Sequence, residues 1–305
     1  YQKRQYFQRK FMTNNRVYIG ILFALFAVFL LCCLDVIAKI LLIKYSVMQL
    51  TFLRSGFALL IVGISNYLSN GMGCFRTEIK RWHLLRTLLM TISMTTFFVA
   101  LGMIPLVNVI IIVFIAPILM TALSGPILGE HVGSWRWLAV IIGFIGMLII
   151  LKPTSDFNGQ GTIYALIGVI TYALISLTSR KLSNQDSAYN LTFYMFFGPL
   201  IIGGLGSLST WLAPTPLDWL YFVLTGITGG AAFIFYNLAF QRAEASLLAS
   251  FEYTGLIWAT LAGYLIFKES VEFSVWIGAL IIISGGLIII YRESNTLKSI
   301  KDYIP

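Results

Sequence analysis

The chain has 305 residues, of which 58% are hydrophobic and 11% are charged, and it carries a formal net charge of +9. Soluble domains carry roughly 25% charged residues, and a soluble core of this length could not bury so much apolar surface, so the composition excludes an ordinary soluble protein. The positive charge does not indicate nucleic-acid binding, because the basic residues lie in short loops and at the two chain ends.

Unbroken apolar segments of about 18–25 residues follow one another along the chain, and this length is typical of membrane-spanning helices. Strands of a membrane barrel would instead alternate polar and apolar residues. Turn-forming sequences such as Asn70-Gly71-Met72-Gly73 separate the segments. We predict ten transmembrane helices, at residues 17–42, 47–67, 83–104, 107–128, 134–151, 160–180, 189–211, 218–241, 246–267 and 273–291.

The basic residues predict the orientation of these helices, since cytoplasmic loops are enriched in Lys and Arg. With both termini in the cytoplasm, the inner segments hold 14 Lys or Arg residues, and the outer loops hold three, namely Lys44, Lys152 and Lys268. Residues 1–16 form a basic segment without a small-residue cleavage site after it, so the first helix is expected to be retained. We therefore expect a multi-pass integral membrane protein with both termini in the cytoplasm.

The second half of the sequence repeats the first. Residues 105–150 align with residues 244–289 at a constant offset of 139, and an earlier stretch aligns at an offset of 141. Each half holds five predicted spans, and an odd number makes the second half enter the bilayer from the opposite side. The sequence thus predicts two inverted five-helix repeats, an organisation typical of transporters. The matched pairs include Glu130 with Glu269, Trp137 with Trp276, Gly146 with Gly285, and Lys39 with Arg180.

Several short motifs accompany the repeat. They are Asp35-Val-Ile-Ala-Lys39 followed by Arg54, Leu85-Arg86-Thr87-Leu88-Leu89, Ala116-Pro117, Gly129-Glu130, and Gly143-Phe-Ile-Gly146 before Leu151-Lys152-Pro153. With these motifs the chain resembles the drug/metabolite transporter superfamily, specifically its ten-helix EamA-type members. The Asp-x-x-x-Lys pattern with Arg54 is similar to a subgroup that includes S-adenosylmethionine carriers. In the second half Met195 takes the place of Arg54, so the two halves cannot contribute equal charges.

The resemblance implies a first EamA-like repeat over residues 17–151, a second over residues 160–291, and a cytoplasmic tail over residues 292–305. It also implies that the substrate cavity lies between the two halves. The last helix of each half would then lie at the periphery, and neither of these two helices carries a charged residue in mid-span.

Four charged residues stand out inside the predicted spans, namely Asp35, Lys39, Arg54 and Glu252. Each one costs roughly 2.5–3.5 kcal/mol in a bilayer, so each needs a reason. Asp35 and Lys39 share a helix face, and Asp35 and Arg54 are predicted at a similar depth near the outer surface. Either an ion pair joins the first two helices, or this outer cluster binds or gates the substrate. Lys39 could also extend to the membrane surface.

Glu252 is predicted near the cytoplasmic end of the ninth span, where it has two interpretations. It faces the cavity and binds a cationic group or carries a proton, or it pairs with Arg242 in the preceding turn. Arg86 begins the third span, where it either anchors the helix at the lipid headgroups or serves as a partner of Glu252 at an inner gate.

Other residues are candidates on weaker grounds. Pro117 and Pro199 remove backbone donors within predicted spans, so they either form hinges or simply bend their helices. Ordinary packing is the alternative for each aromatic candidate. The polar and aromatic residues that could line the cavity are Asn108, Tyr236, Asn237, Tyr253 and Trp258.

The sequence contains no phosphate-binding loop, no Gly-x-Ser-x-Gly and no His-Glu-x-x-His, so we predict neither direct use of ATP nor an enzyme. We also predict no cofactor, metal site or nucleic-acid partner. We predict a secondary active transporter of a small organic metabolite that works by alternating access in a bacterial inner membrane. A channel, a membrane scaffold and an intramembrane enzyme are the alternatives. The four interior charges sum to zero, which suits an amino-acid-like, zwitterionic or S-adenosylmethionine-like substrate. A coupling proton, an exchanged metabolite and a second copy of the chain are further candidate partners.

Overall fold

The computed structural model describes residues 2–71, 75–103, 112–151, 159–267 and 273–302. Within these ranges every regular element is an α-helix, so the all-α prediction is confirmed for them. The helices are α1 (Gln2–Leu41), α2 (Val47–Asn70), α3 (Lys80–Met103), α4 (Ala116–Leu128), α5 (Ser134–Leu151), α6 (Gly159–Leu182), α7 (Ala188–Met195), α8 (Phe197–Ser207), α9 (Pro216–Phe240), α10 (Ala245–Glu252), α11 (Gly255–Phe267) and α12 (Phe273–Asp302).

The length and composition of the described helices identify a multi-pass membrane protein. Six segments are long and apolar enough to cross a bilayer, and α7 and α8 together form one of them. Three shorter helical stretches are also apolar, within α4, α5 and α12. The six long segments are Arg16–Leu41, Val47–Asn70, Lys80–Ala100, Gly159–Leu182, Ala188–Ser207 and Pro216–Phe240.

The loops that join one membrane-spanning segment to the next lie at two opposite ends of the bundle. At the first end, Asn66 near the end of α2 donates to Asn190 near the start of α7, with 2.8 Å between Nδ2 and Oδ1. At the second end, Tyr45 after α1 donates to Asp218 at the start of α9, at 2.7 Å. We call these the Glu130 end and the Asp218 end, because Glu130 lies in the α4–α5 connection at the first end.

Two helix starts show how local sequence positions the elements. Ser46 and Ser187 have extended backbone conformations, and their hydroxyls accept from the backbone N–H groups of Gln49 at 3.2 Å and Asn190 at 3.0 Å. A serine at this position satisfies one of the unpaired N–H groups of the first helical turn. The two serines are 141 positions apart, at the offset of the sequence repeat.

Backbone turns interrupt three of the predicted spans. Phe196 separates α7 from α8, residues 253–254 separate α10 from α11, and residues 114–115 precede α4. Pro117 and Pro199 each follow one of these turns, in the first helical turn, where a missing N–H costs little. Pro199 leaves the Met195 carbonyl without its usual helical donor, and the hydroxyl of Thr87 on α3 donates to that carbonyl at 3.2 Å.

Small residues let several helices approach closely. α1 packs along α9, α3 along α6, and α5 along α12. A Cβ atom on Gly146 of α5 would lie 2.9 Å from the Gly278 carbonyl oxygen and 2.8 Å from Ile282 Cγ1 on α12. Gly285 of α12 meets α5 in the corresponding way, since its Cβ would lie 3.2 Å from the Ala139 carbonyl oxygen. Close backbone approach of this kind is typical of membrane helix pairs.

We predict that Gly146→Ala destabilises the protein, because the added methyl group meets backbone atoms that cannot move aside. The expected cost is about 1–3 kcal/mol, the usual range for overpacking. Thermal unfolding in detergent measures it. Gly133→Ala is the matched control, since a Cβ at Gly133 meets nothing within 4 Å. Equal melting temperatures for the two variants would contradict this account of the α5–α12 contact.

A carboxylate organises the loop between α6 and α7 at the Glu130 end. Asp186 accepts from Thr77 Oγ1 at 2.7 Å, from Asn190 Nδ2 at 2.8 Å and from the Ser187 N–H at 2.7 Å, and it lies 2.9 Å from His83 Nε2. Burial acts to raise the pKa of Asp186, but the hydrogen bonds from His83, Thr77 and Asn190 outweigh it and lower the pKa below 3.8. The ionised carboxylate therefore ties the α2–α3 connection to this loop.

The lowered pKa of Asp186 predicts a pH-dependent contribution to stability. The contribution is present above the ordinary value of 3.8 and is lost as pH falls through the lower folded-state pKa. Near neutral pH, Asp186→Asn should cost about 1–3 kcal/mol, the range for hydrogen bonds to charged groups. Melting temperatures of both proteins from neutral to acidic pH measure the difference, which should shrink below pH 3.8. A difference that grows on acidification, or an equal effect of Glu78→Gln at an exposed position, would overturn the prediction.

Candidate functional site

A buried carboxylate lies inside the bundle at the end of α10. Glu252 is 9% exposed and accepts a hydrogen bond from the hydroxyl of Tyr236 on α9. Tyr172 on α6 forms hydrogen bonds with Glu252, Tyr236 and Ser176. A buried charge is costly unless hydrogen bonds stabilise it, and the two phenol groups provide such bonds. The three residues form a compact site contributed by α6, α9 and α10, which we call the Glu252 cluster.

Arg242 is engaged elsewhere in this structure. Its guanidinium donates to the Leu238 carbonyl at 2.8 Å, and its central carbon lies 4.8 Å from the centre of the Phe23 ring. The sequence left open a pair between Arg242 and Glu252 at the helix end. The contacts of Glu252 are instead with Tyr236 and Tyr172, so the cluster faces the interior rather than the preceding turn.

A second set of charges lies toward the Asp218 end. Arg54 on α2 is 6% exposed, and it interacts electrostatically with Asp35 on α1, which their predicted depths allow. The guanidinium packs beside Gly229 of α9, where an added Cβ would lie 3.3 Å from Arg54 Nε. That Nε atom has no hydrogen-bond partner among the described residues. Asp35 itself is exposed, and so is Lys39 one turn further along α1.

Arg86 links helices through hydrogen bonds, which differs from both interpretations of the sequence, namely anchoring at lipid headgroups and pairing with Glu252. Its side chain is 0% exposed, so it does not reach lipid headgroups. It joins α3 to α6 and α7 through both terminal nitrogens, and none of these partners is Glu252. The partners are the Ile175 carbonyl at 3.1 Å, Thr178 Oγ1 at 3.0 Å, Ser179 Oγ at 2.8 Å, the Leu191 carbonyl at 3.2 Å and Met195 Sδ at 3.8 Å.

Asn237 and Trp258 carry polar atoms that are only partly satisfied. Asn237 Nδ2 donates to Thr192 Oγ1 and to the Phe233 carbonyl, both at 2.9 Å, while its Oδ1 has no partner in the described ranges. Trp258 packs edge-on against Phe29, with 5.1 Å between ring centres, and its Nε1 is likewise without a partner there. Unsatisfied buried polar atoms are uncommon and can be satisfied by a bound solute. Asn108, another predicted cavity residue, lies outside the described residues.

Tyr253 joins the two interrupted spans. It is fully buried and stacks on Phe114, with 5.6 Å between ring centres and an angle of 18° between the planes. Its hydroxyl donates to the Phe114 carbonyl at 3.1 Å. Both residues lie in the turns that interrupt their helices, and they are 139 positions apart. Packing and a backbone contact therefore account for Tyr253 in this structure.

Sequence reasoning assigned no site role to Glu130, although the Gly129-Glu130 pair and its match with Glu269 drew attention to it. Glu130 Oε1 accepts from Arg180 Nε at 3.0 Å and from the Ala245 N–H at 3.1 Å. Its Oε2 accepts from the N–H and the hydroxyl of Ser246, at 3.3 and 3.2 Å. Tyr172 in the Glu252 cluster was also missed, because a tyrosine in an apolar helix is usually a packing residue.

Comparison with known proteins gives these features a context. A family model described as the EamA-like transporter family matches residues 18–152 and again residues 159–291. The chain is 27% identical to an S-adenosylmethionine uptake transporter of Rickettsia prowazekii over 266 residues, which cover 87% of this chain and 90% of that protein. It is 28% identical to a riboflavin transporter of Rhizobium johnstonii over 283 residues, which cover 92% and 93%.

A solved crystal structure shares the fold. It superposes with a TM-score of 0.77 at 19% sequence identity, and the match covers 88% of this chain and 96% of that chain. At this identity the likeness concerns the fold alone. The two family matches together include most of the sequence, and the chain belongs to the EamA-like transporter family.

Proposed function

We propose that the protein is a secondary active transporter that moves a small organic metabolite across a bacterial inner membrane by alternating access. Membership of a transporter family and the names of the relatives support transport of a small metabolite. The Glu252 cluster is the observation that carries the proposal for this chain. It places a carboxylate and two hydroxyl groups inside an apolar bundle, and intramembrane ionisable groups commonly mark solute or proton pathways.

The two halves, residues 17–151 and 160–291, form inverted repeats in this proposal. The double match of the family model supports it. Packing supports it as well, because α1 on α9 and α6 on α3 are equivalent contacts at the repeat offset. Tyr253 and Phe114 are equivalent residues that touch each other, as expected for residues beside a two-fold axis. The solute would then pass between the two halves.

The proposed orientation places the Glu130 end in the cytoplasm together with both termini. The bias of 14 basic residues in inner segments against three in outer loops supports it. Asp35 then lies about 9 Å below the outer end of α1, at 1.5 Å per residue. An exposed carboxylate at that depth is tolerable where it faces water, so its exposure supports an aqueous vestibule that opens outward.

The charges support a substrate that carries both signs. Arg54 and Lys39 lie toward the outer side, and Glu252 lies toward the cytoplasm. A carboxylate of the substrate would pair with Arg54, and an amino or sulfonium group would lie near Glu252. This arrangement favours an amino-acid-like, zwitterionic or S-adenosylmethionine-like molecule, as the name of one relative also suggests. Glu252 either binds that cationic group directly or carries the coupling proton.

We expect Glu252→Gln to reduce uptake of labelled S-adenosylmethionine into proteoliposomes at least tenfold, because the amide cannot balance a cation or exchange a proton. Saturable uptake with counterflow in the unaltered protein identifies a carrier, whereas ohmic conductance would identify a channel. If the residual uptake no longer depends on pH, Glu252 carries the proton, and retained pH dependence indicates cation binding. Glu78→Gln, at an exposed position, is the control. Unchanged uptake and unchanged pH dependence in Glu252→Gln would refute both roles.

Arg54 and Arg86 give a matched pair that separates ligand binding from structure. A ligand that binds the folded state raises the melting temperature by mass action. We expect S-adenosylmethionine to raise the melting temperature of the unaltered protein. Arg54→Ala should abolish this shift. Arg86→Lys should lower the melting temperature without ligand, since a lysine cannot make the same hydrogen bonds, but should retain the shift. A shift retained in Arg54→Ala, or a larger shift with neutral sugars, would contradict the proposed recognition.

A further inference from the structure

The first turn of α10 is capped by a residue from the other half of the chain. The first N–H groups of a helix have no partner within the helix, and a neighbouring Ser, Thr, Asp or Asn usually accepts from them. Glu244 occupies the capping position of α10, with φ −70° and ψ 148°, but its side chain makes no capping hydrogen bond. Glu130 accepts from the N–H groups of Ala245 and Ser246 instead, from more than a hundred positions earlier.

Further contacts hold this cap in place. The Glu130 side chain is 7% exposed, and its Oε1 atom also accepts from Arg180 Nε on α6. Arg180 in turn donates to the carbonyl of Phe240, the last residue of α9, at 2.7 Å. The carboxylate is therefore bound directly to two segments of the second half, the end of α6 and the start of α10, and Arg180 links it to the end of α9.

A second residue of the first half reinforces the contact. Arg136 near the start of α5 forms an ion pair with Glu244 and donates to the hydroxyl of Ser246 at 2.8 Å. Glu130 lies in the short α4–α5 connection and Arg136 lies in the first turn of α5, and both contact the first residues of α10. We call these two residues with Arg180, Glu244 and Ser246 the Glu130 clamp.

The clamp and the Glu252 cluster lie on the same short helix. α10 has eight residues, all of them buried, and at 1.5 Å per residue it is about 12 Å long. Its first turn is held by Glu130, and its last residue is Glu252. A rigid displacement of α10 at the clamp would therefore also move the Glu252 carboxylate relative to Tyr172 on α6.

We propose that Glu130 is a positioning residue for transport, which holds α10 against the first half in this conformation and must release it for the cytoplasmic end to open. A capping residue within the same segment would satisfy α10 in every conformation. A cap from the other half satisfies it only while the two halves are in contact, so it stabilises the closed end selectively. The inference deepens the proposed function and depends on it for the orientation of the Glu130 end.

Side-specific labelling of a single cysteine tests the clamp without a substrate. Ser250 is buried and lies one turn from Ser246 on the same face of α10. In a background where Cys32, Cys33 and Cys74 are serine, Ser250→Cys is treated with a membrane-impermeant maleimide in inside-out vesicles. We expect Glu130→Ala to raise the labelling rate at least fivefold, and Glu130→Gln, which keeps an acceptor but loses the charge, to raise it less. Glu78→Ala should leave the rate unchanged.

A second variant distinguishes the contact between the two halves from the capping of the first turn of α10. Glu244→Ser added to Glu130→Ala supplies a local cap but also removes the ion pair with Arg136, so Glu244→Ser alone is the reference. The melting temperature of the double variant should recover relative to Glu130→Ala, while its labelling rate stays above that of Glu244→Ser. Labelling that returns to the rate of Glu244→Ser would show that only helix capping matters, and would overturn the proposal. An unchanged rate in Glu130→Ala, or an equal rise from both faces of the membrane, would also overturn it. If labelling behaves as expected but no solute flux is found, the proposed function is wrong, while the role of Glu130 in holding α10 is still supported.

Discussion

Water is absent from the bilayer core, so each polar group of this bundle has to find its partner in the protein. Arg86 shows the constraint clearly, because a fully buried guanidinium persists there through hydrogen bonds to α6 and α7. The same constraint acts on the backbone. The Met195 carbonyl that Pro199 leaves unpaired accepts from Thr87, and the N–H groups of Ala245 and Ser246 donate to Glu130. Some tertiary contacts between distant segments thus form because a backbone N–H or carbonyl group has no partner within its own helix.

Three polar atoms of the candidate site are unsatisfied, and so are other atoms in the described part of the chain, Arg86 Nε among them. Arg54 Nε, Asn237 Oδ1 and Trp258 Nε1 have no hydrogen-bond partner in the described part of the chain. Glu252 is held by hydroxyl groups of Tyr236 and Tyr172. Arg86 and Arg54 are both buried arginines. The terminal nitrogens of Arg86 donate a set of hydrogen bonds to α6 and α7, whereas Arg54 lies beside the exposed carboxylate of Asp35. Arg86 joins α3 to α6 and α7, and Arg54 is the residue proposed to meet the solute.

The short helix α10 connects these two kinds of site. Its start belongs to the Glu130 clamp, and its end belongs to the Glu252 cluster. The turn after it contacts the equivalent turn of the first half through Tyr253 and Phe114. Interrupted helices allow such an element to move as a short rigid unit, whereas a continuous span would have to move as a whole. The arrangement thus joins the Glu130 end of the bundle to the group that is proposed to meet the solute.

The sequence by itself determined the positions of the apolar helices, because in a lipid environment the length of an apolar segment is a local property of the chain. It also indicated that Asp35 and Arg54 lie at similar depth and can meet, since helix rise converts residue number into depth. Only the tertiary structure decided the partners of Arg86, Glu130 and Glu252. Depth does not reveal which way a side chain faces around its helix, and a contact such as Glu130 with Ala245 depends on how helices distant in sequence pack together.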